Sequence, residues 1–158
     1  MKKDMKNSLD EFISQLQNEI LTVEQTIYSK KVIEEYNNPK NVGYLQNPNG
    51  KAMITGPCGD TMEIHLKVKD RKIFHASFMT DGCGATIACG SMITSLVKGK
   101  HVGEAEKITD KDLINALDGL PKENLHCATL AVNTLQEAIK NYYKNKEERG
   151  ELNEMRNL

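Results

Sequence analysis

The 158 residues, 39% hydrophobic and 27% charged, suit one globular domain that buries a core without covalent staples, and they exclude a disordered or collagen-like chain. A formal net charge of −1, with Lys and Glu interleaved, leaves no electrostatic footprint for nucleic acid or an anionic membrane. No run approaches the ~20 apolar residues that span a bilayer, and residues 1–10 lack both the apolar stretch of a secretory signal and the Arg-rich character of a transit peptide, so a cytoplasmic, prokaryotic protein is expected.

Ser8-Leu9-Asp10-Glu11 has the pattern of a capping box, and Leu9, Phe12, Ile13, Leu16 and Ile20 follow at helical spacing. A second short helix is expected over Ser29–Tyr36, burying Val32, Ile33 and Tyr36 and stopping at Asn37-Asn38-Pro39. From Lys51 the period becomes two. Met62, Ile64, Leu66 and Val68 alternate with polar residues, Asp70-Arg71 reads as a hairpin turn, and Phe74, Ala76 and Phe78 alternate in a return strand. Lys51–Thr55 supplies a third strand. His65 falls on the outward phase and is expected at the surface, and His75 and His101 have no partner pattern.

After Gly82-Cys83-Gly84 the helical period returns, with Ala85, Ala88, Cys89, Met92, Ile93 and Leu96 on one face. Thr109-Asp110-Lys111-Asp112 caps a short helix that closes at Gly119, just before Pro121. The last helix runs from about Cys127, with Ala128, Ala131, Val132, Leu135, Ile139 and Tyr142 on its core face, into a charged, solvated end. The expected fold class is α+β: a small three-stranded antiparallel sheet with helices packed on one face, plus an added N-terminal helix. The expected divisions are a helical extension over 1–27, the domain over 28–145 and a charged tail over 146–158.

In a reducing compartment the four cysteines point to thiols with chemistry or to core residues, not to two disulfides. Cys89 lies in the apolar stripe of its helix and is assigned to the core. Cys58 lies between two strands, flanked closely by Gly56 and Gly59. Cys83 stands where a strand gives way to a helix, and Cys127 follows His126 at a helix entrance, where free backbone N–H groups favour thiolate. Soft thiolates suit iron–sulfur clusters, zinc or cuprous copper, and Asp60 and His126 lie beside them as further ligands. No CxxC pair is present, so spacing leaves the metal open.

Five segments in order carry a resemblance: Tyr28–Ile33 with Asn38-Pro39-Lys40-Asn41-Val42-Gly43, then Cys58-Gly59-Asp60, Gly82–Ala88, Val97-Lys98-Gly99-Lys100 and Leu125-His126-Cys127. Over about Tyr28 to Tyr143 the chain resembles the IscU/NifU N-terminal family of iron–sulfur cluster assembly scaffolds. The resemblance implies an assembly protein rather than a turnover enzyme. A cysteine desulfurase delivers persulfide sulfur, a [2Fe–2S] cluster forms, and acceptor apo-proteins receive it. The alternatives are a [4Fe–4S] cluster and a zinc-binding, SufU-like sulfur-transfer protein, with Zn2+ also a candidate occupant of the as-isolated form.

By the same resemblance Cys58, Cys83 and Cys127 are cluster ligands, with Asp60 or His126 at the fourth position. Cys127 is the first persulfide acceptor and Asp60 is associated with cluster release. The family's chaperone-recognition segment is altered: Asn124 stands where a lysine is common, which puts chaperone use in question. Both a monomer and a homo-oligomer around a cluster agree with the pattern.

Overall fold

A computed structural model describes the backbone of residues 2–156 and the side chains of residues 2–150. The elements in chain order are α1 (Lys2–Ile27), α2 (Lys30–Asn37), β1 (Gly50–Thr55), β2 (Thr61–Lys69), β3 (Lys72–Thr80), α3 (Gly84–Val97), α4 (Val102–Ala105), α5 (Asp110–Ala116) and α6 (Leu125–Arg156), with a 3-10 turn over Lys122–Asn124. The strands form one antiparallel sheet in the order β1-β2-β3. The fold is therefore the expected α+β arrangement with an N-terminal helix. Among the described residues no helix is long and apolar enough to cross a membrane.

Met62, Ile64, Leu66 and Val68 of β2 all point inward and are buried, as their alternation requires. Asp70 and Arg71 both take positive φ, +53° and +63°, the backbone of a tight hairpin whose twist matches its strands. Helices α3 and α6 cover the inward face, α3 against β3 and α6 against β1 and β2. Helix α3 is buried along most of its length because its small residues, Ala85, Ala88, Gly90 and Ser91, admit close neighbours. At Gly90 the approach is tightest: a Cβ there would lie 2.4 Å from the Phe78 ring.

Local signals account for two helix starts. Ser29 caps α2 by accepting from the Val32 N–H, and Thr109 with Asp112 forms a complete capping box on α5. Glu35 ties α2 to α3, accepting from the Ser91 hydroxyl and from Lys40 Nζ at 2.9 Å.

Several expectations are corrected. Helix α1 begins at Lys2 and runs straight through Ser8, so Ser8 is not its cap. Tyr36 is half-buried, and Glu35 is buried in α2 beside Val32 and Ile33. Phe74 is exposed because β3 bulges: Lys67 pairs with His75 but Val68 pairs with Ile73, which leaves Phe74 as the extra residue and turns Ile73 inward.

His65 is buried, not at the surface, because the segment between α2 and β1 folds back across the outer face of the sheet. The Leu45 N–H donates to His65 Nδ1 at 3.2 Å, which leaves Nε2 to donate to Glu63 Oε1 at 2.8 Å. The ring of Tyr44 lies against the imidazole, with centroids 5.4 Å apart.

Gly90→Ala is expected to destabilise the domain by about 1–3 kcal/mol, the usual cost of overpacking a filled core. A urea melt of both proteins checks this, with the variant's midpoint lower and the slope unchanged.

Candidate functional site

Three chain segments converge at one end of the sheet. The β1–β2 turn is closed by the Gly56 N–H donating to the Asp60 carbonyl at 2.8 Å, which turns the Asp60 side chain toward α3. The end of β3 is pinned beside it: the Thr61 N–H donates to Asp81 Oδ1 at 2.7 Å, and the Thr80 hydroxyl donates to the Thr61 carbonyl at 2.6 Å. Cys83 then caps α3, and Cys127 sits in the first turn of α6.

These placements bring a carboxylate oxygen of Asp60 and the sulfurs of Cys83 and Cys127 within 4.8 Å of one another. The approach depends on Gly82, since a Cβ there would lie 2.7 Å from Thr86 Cβ and 2.8 Å from Asp60 Oδ2. Two thiols and a carboxylate from three separate elements fit zinc or the iron of a cluster, because the sulfurs supply soft ligands and the carboxylate a weaker, exchangeable one.

The other two expected site residues stand at the margin. Cys58 is exposed at the tip of the β1–β2 turn and does not belong to the close group. His126 is exposed, with Nε2 3.7 Å from Cys127 Sγ. Cys89 is fully buried in the core, as assigned.

Thr86, which the motif reading passed over, occupies the centre of the group. Its hydroxyl is buried and lies 3.0 Å from Asp60 Oδ2, 3.3 Å from Cys127 Sγ and 3.6 Å from Cys83 Sγ. One hydroxyl proton serves these contacts in turn, while the oxygen can accept from a thiol. The signal was present in the sequence, because Thr86 follows Cys83 by three residues in the first turn of a helix and so faces it. Asn124 contributes as well, with its side chain hydrogen-bonded to Cys127.

The two clustered sulfurs have opposite electrostatics. Partial burial works against the Cys83 thiolate, yet the Thr86 amide and hydroxyl and the Ala85 amide together hold its thiol below the ordinary cysteine range. Burial pushes the Cys127 thiol up, outweighing help from Thr86 and Asn124. The expectation that a helix entrance favours thiolate therefore holds for Cys83 and fails for Cys127, whose residue is 0% exposed. Burial also pushes Cys89 up, with the charges of Cys127 and Cys83 adding to it. Tyr28, at the start of the segment leading into α2, is raised first by burial and then by the charges of Cys83 and Cys127.

Residues 27–149 match the model of the NifU-like N-terminal domain. The chain belongs to this family. Its relatives include the iron–sulfur cluster assembly scaffold protein IscU 1 of Archaeoglobus fulgidus, 44% identical over 119 residues that span 75% of this chain and 78% of the relative. The protein of the same name from Escherichia coli strain K12, IscU, is 42% identical over 125 residues, which span 76% of this chain and 97% of the relative. Among solved structures, a putative cluster assembly scaffold for the SUF system from Fervidobacterium islandicum AW-1 superposes with a TM-score of 0.60 at 21% identity, over 72% of this chain and 97% of the other. That likeness bears on the fold alone. Helix α1 lies outside the family match except for its last residue.

Two outcomes test the geometry. In a pulse of iodoacetamide at neutral pH, read by peptide mass, Cys58 and Cys83 are expected to label first, Cys127 slowly and Cys89 only after unfolding. The Cys83 rate levels off at lower pH than that of a free cysteine, since its thiolate persists to lower pH. Thr86→Val keeps the volume and removes the hydroxyl, and should weaken Co2+ binding on the order of tenfold or more, read from sulfur-to-cobalt absorption. Thr86→Ser should restore it, and equal affinity in all three proteins would remove Thr86 from the site.

Proposed function

We propose that this protein is an iron–sulfur cluster assembly scaffold, a carrier rather than a turnover enzyme. One observation carries the reading: the convergence of Asp60, Cys83 and Cys127 within 4.8 Å. Membership of a family whose relatives bear the name cluster assembly scaffold supports it. Iron and sulfide are the cargo. Cys58, Cys83 and Cys127 are the proposed thiolate ligands of a [2Fe–2S] cluster. Cys58 joins from its exposed turn, and Asp60 or His126 completes the set.

Sulfur arrives from a cysteine desulfurase as a persulfide. A scaffold thiolate attacks the terminal sulfur, an S–S bond forms on the scaffold, the donor's S–S bond breaks, and the donor cysteine leaves as thiolate. The transfer itself is redox-neutral. Cys127 has the acceptor role in the resemblance. A second reading gives first attack to Cys83, and a specific observation favours it: Cys83 is exposed with its thiol held below the ordinary cysteine range, whereas Cys127 is buried with its thiol raised.

Asp60 offers the hardest donor of the set, so it is the weakest bond to cluster iron and the natural point of release to an acceptor protein. Burial of Cys127 and Thr86 keeps water from the Cys127 sulfur.

Anaerobic incubation with iron, cysteine and a desulfurase, followed by visible absorption and metal analysis, tests the proposal. Sulfide-to-iron bands are expected with the native chain. They are lost in Cys58→Ala, Cys83→Ala and Cys127→Ala and kept in Cys89→Ser, while Asp60→Ala lengthens the life of the bound cluster. Stoichiometric zinc with no such bands under any condition would replace this reading by zinc-dependent sulfur transfer. Mass mapping of the persulfide after a short exposure to the desulfurase separates Cys83 from Cys127 as first acceptor.

A further inference from the structure

Helix α1 carries a pattern that the domain behind it does not use. From Leu9 to Ile27 apolar residues recur in alternating steps of four and three: Leu9, Ile13, Leu16, Ile20, Val23 and Ile27. That is a 3.5-residue period, which keeps one seam turned toward a second helix when two helices supercoil. The six side chains are 41% to 57% exposed, and none of the residues of α1 is buried. Among the described residues the main packing of α1 is on α2. The contact lies near its C-terminal end, where Glu24 hydrogen-bonds Tyr36 and Tyr28, just beyond the helix, meets Tyr36 edge-on.

The composition of the seam selects its occupant. Ile13, Ile20 and Ile27 fall at the first core position of each heptad, and Leu9, Leu16 and Val23 at the second. A β-branched residue at the first position with mainly leucine at the second favours two parallel strands. We propose that α1 is a self-association element, pairing in parallel with α1 of a second copy of this chain. The exposed area of the six side chains is roughly 600 Å² per chain, so a pair buries about 1,200 Å², the lower end of specific interfaces. Phe12 and, one heptad earlier, Met5 flank the seam and add to it, while Leu21 lies outside it.

Charge distinguishes this occupant from other arrangements. The outer face carries one acid, Glu11, and is otherwise polar and uncharged at Ser14, Gln15, Asn18, Thr22 and Gln25, while acidic residues stand beside the seam at Asp10, Glu19 and Glu24. In a parallel pair, Glu19 of one copy faces Glu24 of the other across the seam. In an antiparallel pair, Glu19 faces Glu19. Like charges at these positions make the pair reversible and tighter in salt, which screens them.

Sedimentation equilibrium of the full chain, metal-free and with reductant, tests the proposal over ~10–500 µM, the range in which a short seam associates. The average mass is expected to rise toward two chains, more steeply at high salt. Ile13→Asp with Ile20→Asp should weaken association on the order of tenfold or more, with the thermal melt of the domain unchanged. Ser14→Asp with Thr22→Asp, on the outer face, should leave a dimer. Glu19→Lys gives the orientation: it creates Lys–Glu pairs in the parallel dimer and tightens it several-fold, but retains a like-charged contact in the antiparallel one. A single-chain mass throughout the range, a mass above two chains, an Ile-to-Asp variant that associates like the native chain, or a Glu19→Lys variant that does not tighten would each overturn the proposal.

Discussion

The packing of α3 is the constraint on which the rest of the molecule depends. It is enclosed by β3, α2, α5 and α6, and a helix held from so many sides has one direction left in which to open. That direction is its N-terminal end, where Cys83 stands and where amides without a partner inside the helix turn to its sulfur. Small side chains make the enclosure possible, with Gly90 against Phe78 and Ser91 against Glu35. The site is thus a consequence of how the core closes, and its two other close donors are brought to α3 by elements that had to pack there in any case.

Much of this was legible in the sequence because it rests on local rules. Strand alternation at Met62–Val68, the Asp70-Arg71 turn, the cap at Thr109 and the burial of Cys89 all follow from the period or chemistry of a few neighbouring residues. What escaped was non-local. His65 looks like a surface residue until the segment bearing Tyr44 and Leu45 folds over it from twenty residues away. Phe74 reads as core until a bulge shifts its phase. The family resemblance singled out Cys58, Cys83, Cys127, Asp60 and His126, but the ranking within them needed coordinates: three converge and two stand at the margin. The centrality of Thr86 follows from meeting groups 26 and 41 positions away, a relation no motif around Cys83 expresses.

The two inner sulfurs divide their labour through solvent. Cys83 takes its stabilisation from backbone dipoles at a helix start, which persist however the side chains move, whereas Cys127 is governed by exclusion from water. Thiolate character and exclusion from water therefore sit on neighbouring atoms. A scaffold needs both, and a single cysteine environment supplies only one of them.

The join between α1 and α2 has a mechanical consequence. Two residues, Tyr28 and Ser29, separate the helices, and Tyr28 packs edge-on against Tyr36 of α2 while Ser29 is fastened to the Leu117 carbonyl at 2.5 Å and to α2 through its cap. Helix α1, about 39 Å long at 1.5 Å per residue, is a lever with its fulcrum at this fastening. A sideways swing of several ångströms at its tip reduces to a fraction of an ångström at Tyr28 and Ser29, so whatever the far end engages is borne without disturbing the core behind the join.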